Sequence, residues 1–134
     1  MAKIISVVSG KGGTGKSTIS AGLALSLSNE DKKVLIVDFD IGLRALDIML
    51  GVENSVVFDL GDVLNQKCTD ESAMIAVKDN LTLMCTPMVI DDATNISKML
   101  DLMENYKNIF DYIILDLPAG LGLSVMVAEK LSNL

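Results

Sequence analysis

The chain has 134 residues, the length of one domain or part of one; half are hydrophobic and 22% are charged, a balance that excludes disorder. Eleven basic residues against 18 acidic ones leave a net charge of −7, so no broad cationic stripe is available and nucleic acid is not expected as a main ligand. The absence of histidine removes Ser/His/Asp triads, imidazole bases and histidine-bearing metal sites together, leaving acid–base chemistry to carboxylates, lysine or water.

Aromatic residues are only 4%, which predicts an aliphatic, methionine-filled core of the kind found in parallel sheets covered on both faces. Met49, Met84, Met88, Met99, Met103 and Met126 read as core filler. Cys68 and Cys85 are far apart, match no metal-ligand spacing, and read as two buried thiols in a reducing compartment. The apolar start is too short for a signal peptide, and no later run approaches the ~18 apolar residues of a membrane span. A soluble, cytoplasmic protein is expected.

Lys3 to Ser9 is β-branched and apolar, and predicts a buried strand feeding the glycines that follow. From Lys16 the period changes: Ile19, Leu23 and Leu27 recur every four residues, which predicts a helix with these three on its apolar face. Asn29 to Lys32 makes a turn, and Val34 to Val37 a second continuous apolar strand stopping at Asp38. Strand, helix and parallel strand form a right-handed βαβ unit.

Leu43 to Leu50 predicts a short helix ended by Gly51, and Phe58 to Leu64 another. Leu81 to Cys85 is the third expected strand. Asp91 or Asp92 can cap a helix that places Ile96, Met99, Leu100 and Met103 on one face. Phe110 to Asp116 is the fourth strand, and Leu123 to Leu131 begins a further helix with no strand to return to. One strand edge is therefore expected to stay open.

Gly10-Lys11-Gly12-Gly13-Thr14-Gly15-Lys16-Ser17 satisfies G-x-x-x-x-G-K-[ST], between a predicted strand and a predicted helix, as a phosphate-binding loop requires. Glycines let successive backbone N–H groups turn inward, and the helix N-terminus, with Thr18 in its first turn, adds positive partial charge. Lys16 reaches β- and γ-phosphate oxygens as a point charge, and the Ser17 hydroxyl ligates Mg²⁺. Asp38 and Asp40 end the second strand, where ligands collect in open parallel sheets, and residues two apart share a face. They either serve a Mg²⁺ water shell and an attacking water or cap the next helix. Asp116, after four largely apolar residues, is either a strand-end cap or a Mg²⁺-binding carboxylate.

Lys11 is not demanded by the loop pattern, and the segment Lys11 to Ser17 resembles the deviant Walker A motif of the MinD/ParA ATPases. Val37 to Asp47, containing Arg44, resembles the switch I region of the family's MinD branch. Asp116-Leu117-Pro118-Ala119-Gly120 resembles its D-x-P-A-G switch II. The resemblance runs from Met1 to about Gly120. It implies a P-loop α/β fold, a mostly parallel sheet with helices on both faces, with residues 1–134 forming the N-terminal half of the ATPase domain.

The same resemblance implies ATP and Mg²⁺ as ligands, with Ser17, Asp38 and Asp116 at the metal. Asp40 is then the residue that positions the hydrolytic water, Gly120 the γ-phosphate sensor, and Lys11 the residue that reaches the partner's phosphates across an ATP-dependent homodimer. Arg44 is either a switch contact or a solvated helix charge. Cell-division regulatory proteins are implied as partners. The family's full-length members also reach the membrane through a C-terminal amphipathic helix, and no stretch of this sequence has that basic amphipathic character. After Gly120 the chain reads Leu121-Gly122-Leu123-Ser124, without the acidic residue of the MinD branch. The expected function is an ATP-hydrolysing switch in division-site selection. The alternatives are a nucleotide- or partner-binding module without turnover, or a ParA-like or flagellar-placement ATPase.

Overall fold

A computed structural model describes residues 2–8, 16–39, 45–52, 54, 58–85 and 93–117. Five strands form one sheet: β1 (Lys3–Val8), β2 (Val34–Asp38), β3 (Ile75–Lys78), β4 (Leu81–Cys85) and β5 (Tyr112–Leu117), in the order β1-β5-β2-β4-β3. The first four positions in that order are parallel, and β3 joins β4 antiparallel. The helices are α1 (Lys16–Asn29), α2 (Ala45–Met49), α3 (Leu60–Leu64), α4 (Asp70–Ala73) and α5 (Ala93–Tyr106). The expected α/β architecture is therefore present, and β1 lies at a sheet edge with β5 as its strand neighbour among the described residues.

Alternation along the strands sorts the core into two layers. Val34 and Ile36 of β2, Leu81, Leu83 and Cys85 of β4, and Ile114 of β5 pack with Ala21 and Ala24 of α1 and Leu46 of α2. Leu35, Val37, Met84, Ile113, Leu115 and Leu117 face the other way, against Leu60, Ala73, Met103 and Tyr106 from α3, α4 and α5. Every residue of β2 is buried, as continuous apolar runs in doubly covered sheets require.

The structure corrects the expected face of α1. Ile19 is 62% exposed and Leu23 and Leu27 are only partly buried, whereas Ser20, Ala21, Ala24 and Ser28 are buried. The helical period is as read, but the seam lies one residue further along, on small side chains. These let the helix backbone settle close to the sheet, while the larger aliphatics flank the contact.

The sequence reading also lacks β3 and α4. Ile75–Lys78 is short, half-buried and bent by a register shift against β4; its hairpin turns at Asp79-Asn80, with Asn80 at φ 69. Thr69 caps α4, its hydroxyl accepting from the Ser72 N–H at 3.3 Å. α2 covers Ala45–Met49 of the expected helix, whose first residues, Leu43 and Arg44, lie outside the described residues, and it ends toward Gly51, whose φ of +74 suits a residue without Cβ. α3 starts at a reciprocal cap: the Asp62 N–H donates to Asp59 Oδ1 and the Asp59 N–H to Asp62 Oδ2, both at 3.0 Å.

Met84 and Met103 are buried as expected, but Met49 is 47% exposed at the end of α2. Cys85 is buried, whereas Cys68 is only partly buried on the turn between α3 and α4. The expected last helix, the caps at Asp91 and Asp92, and the side chains of Met88, Ile96, Met99, Leu100 and Met126 lie outside the described residues.

Tyr106 closes the layer beneath α5, and burial, together with the nearby Asp70 carboxylate, holds its phenol well above the ordinary tyrosine value. The folded state thus keeps a proton that the unfolded chain releases above about pH 10, so this contribution to stability is intact below that pH and fades as pH rises past it. In a Tyr112→Phe variant, ultraviolet absorbance should show no ionised tyrosine up to about pH 11 unless the chain unfolds. For the α1 seam, Ala24→Leu is expected to cost about 1–3 kcal/mol in urea denaturation through overpacking. Ile19→Ala should stay within about 0.5 kcal/mol.

Candidate functional site

β1 ends at Val8 and α1 starts at Lys16, so residues 9–15 connect the carboxyl end of the sheet to a helix N-terminus. α1 runs back along the sheet: Ser20, near its start, hydrogen-bonds to Asp116 near the carboxyl end of β5. A helix start carries unsatisfied N–H groups and positive partial charge, and the first turn of α1 contains no acidic side chain to offset them. Thr18 lies exposed in that turn. Gly10, Lys11, Gly12, Gly13, Thr14, Gly15, Asp40, Arg44 and Gly120, and the side chains of Lys16 and Ser17, lie outside the described residues.

The two remaining predicted site residues come together. Asp38 and Asp116 are register partners on adjacent parallel strands, and both belong to the strand face that packs on α1. Their exposures are 1% and 0%. The backbone around them is pinned, because the Phe39 N–H donates to the Asp116 carbonyl at 2.9 Å and extends the ladder past β2. Across the sheet the same level reads Val7, Asp116, Asp38, Cys85, so apolar rows that begin with Val34 and Ile36 end in carboxylates.

Neighbouring strands are ~4.8 Å apart, so two buried carboxylates at this level crowd each other and favour a cation between or above them. Among the described residues no group of three or more histidine, cysteine or acidic side chains could hold a metal. Two carboxylates by themselves suit a hard cation that takes one or two carboxylates and keeps several waters, as Mg²⁺ does.

Sequence reasoning missed Ser20. Its Oγ donates to Asp116 Oδ1 at 3.2 Å across 96 residues of chain, from a fully buried position. The available signal was its place four residues after Lys16, in line with Ala24 and Ser28. The alignment of Cys85 beside Asp38 was likewise invisible before the strand register was known.

The ParA family, described as NUBPL iron-transfer P-loop NTPase, matches residues 1–133. The septum site-determining protein MinD of Synechocystis sp. is 44% identical over 124 residues, covering 90% of this chain and 47% of that protein. Among solved structures, the MinC:MinD cell division protein complex of Aquifex aeolicus matches with TM-score 0.77 and 40% identity, over 95% of this chain and 52% of that one. MinD of Pyrococcus horikoshii, complexed with Mg-ADP, matches with TM-score 0.77 and 36% identity, over 96% and 54%. The chain thus spans about half the length of the relatives it matches.

Proposed function

The chain belongs to the ParA/MinD family of P-loop NTPases, and on that premise we propose that it is a Mg-ATP-dependent switch that dimerises on ATP, hydrolyses it slowly and acts in division-site selection. The observation that carries this reading is the buried Asp38–Asp116 pair at the end of the sheet beside the start of α1. An anion-attracting helix start and a cation-attracting carboxylate pair at one sheet end suit a magnesium-complexed polyphosphate. The Mg-ADP held by the Pyrococcus relative supports the same ligand class here. The MinC seated with the Aquifex relative supports a cell-division regulator as partner.

In this reading the backbone of residues 10–15 lines the phosphates, and Lys16 supplies a point charge to their β- and γ-oxygens. Ser17, Asp38 and Asp116 hold the cation and its waters. Bound magnesium would neutralise charge developing on the phosphate oxygens. Asp40, two residues beyond Asp38, orients the attacking water, Gly120 reads the γ-phosphate through its N–H, and Thr18 contributes from the first turn of α1. Lys11 reaches the phosphates of a second copy, so the bound triphosphate and the dimer support each other. Among the described residues no helix is long and apolar enough to cross a membrane.

Steady-state ATP turnover by the wild-type chain, Lys16→Ala and Asp40→Ala tests the assignment. Lys16→Ala should lower turnover by about 100-fold or more, through loss of charge stabilisation. Asp40→Ala should slow it while a fluorescent ATP analogue still binds. Equal rates in all three would refute the catalytic roles. Size-exclusion chromatography should show a dimer with ATP and a monomer with ADP; a profile indifferent to nucleotide favours the binding module without turnover.

A further inference from the structure

Ser20 stands out among the buried polar groups that the phosphate-loop pattern does not absorb. It lies on the small-residue seam of α1, where packing alone would be served by alanine, as at positions 21 and 24. A buried serine in a helix usually turns its hydroxyl onto a carbonyl of its own helix, and Ser28 on the same seam does so, donating to the Leu25 carbonyl at 3.0 Å. Ser20 instead donates out of the helix, to Asp116 Oδ1 on β5.

We propose that Ser20 is a positioning residue for the cation site: it orients the Asp116 carboxylate and ties it to the first turns of the helix that follows the phosphate loop. The assignment rests on the functional reading above. A carboxylate that must serve a cation through a defined oxygen loses rotational freedom on binding. A donor already placed on Oδ1 restricts that rotation in advance, so the ordering cost is met by the fold. Ser20 sits one helical turn beyond Lys16, so the same contact links the placement of Asp116 to that of the loop's end. Its hydroxyl touches neither nucleotide nor cation and acts through Asp116.

The test uses the full chain, a ribose-labelled fluorescent ATP analogue, and titration with Mg²⁺ and with Mn²⁺ followed by electron paramagnetic resonance. Ser20→Ala should raise the Mg²⁺ concentration needed for half-maximal strengthening of nucleotide binding by about tenfold and broaden the bound Mn²⁺ spectrum. Its affinity for the analogue in EDTA should stay near wild type. Ser28→Ala removes an equally seated hydroxyl from the same seam and should leave the metal titration unchanged. In an Asp116→Asn background, Ser20→Ala should add no further loss. A Ser20→Ala titration that overlays wild type, or an equal shift in Ser28→Ala, overturns the assignment while leaving the functional reading intact. A wild-type chain whose analogue binding is indifferent to Mg²⁺ overturns both.

Discussion

Two carboxylates placed side by side in a water-poor environment are unfavourable unless something positive completes them, and this constraint organises the chain. Asp38 ends the fully buried β2 and Asp116 is next to last on β5, which is buried from Ile113 onward, at positions where an aliphatic residue would continue the pattern set by Val34, Ile36 and Ile114. Their presence ends an apolar layer in two buried acidic side chains. The rest of the fold holds that place rigid: parallel pairing fixes the register, the Phe39–Asp116 ladder bond extends it, and Ser20 anchors one carboxylate to α1.

The close seat of α1 is the second requirement. A helix presenting Ile19, Leu23 and Leu27 to the sheet would stand further off, and a serine hydroxyl could not then reach β5. Ser20, Ala21, Ala24 and Ser28 have little side-chain volume, so the helix lies near the strands and a short donor spans the gap. Packing and polar contact are coupled here: the small residues that look weakly amphipathic in sequence bring α1 close to the strand that carries Asp116.

Much of the architecture is legible in residue patterns because long apolar runs and glycine-rich breaks have few physical solutions. β1, β2, β4 and β5 are continuous β-branched or aliphatic segments, and each was recognisable alone. β3 was not, since four residues with one buried and one partly buried position carry too little periodicity, and their strand character comes from pairing with β4. α4 escaped for the same reason: a single turn held by the Thr69 cap has no apolar period. Met49 reads as core by composition yet lies exposed, because a five-residue helix can bury only one side, and Leu46 takes it.

The phosphate-loop pattern, the strand-end aspartates and the lack of histidine could all be read without coordinates, since each depends on residue type and local spacing. Which carboxylates meet could not. Asp38 and Asp116 are separated by most of the chain, and only the insertion of β5 between β1 and β2 makes them neighbours. The same holds for Ser20 and Asp116: local periodicity determines which residues share a helix face, but the choice of face, and the strand it touches, follow from how closely two elements can pack.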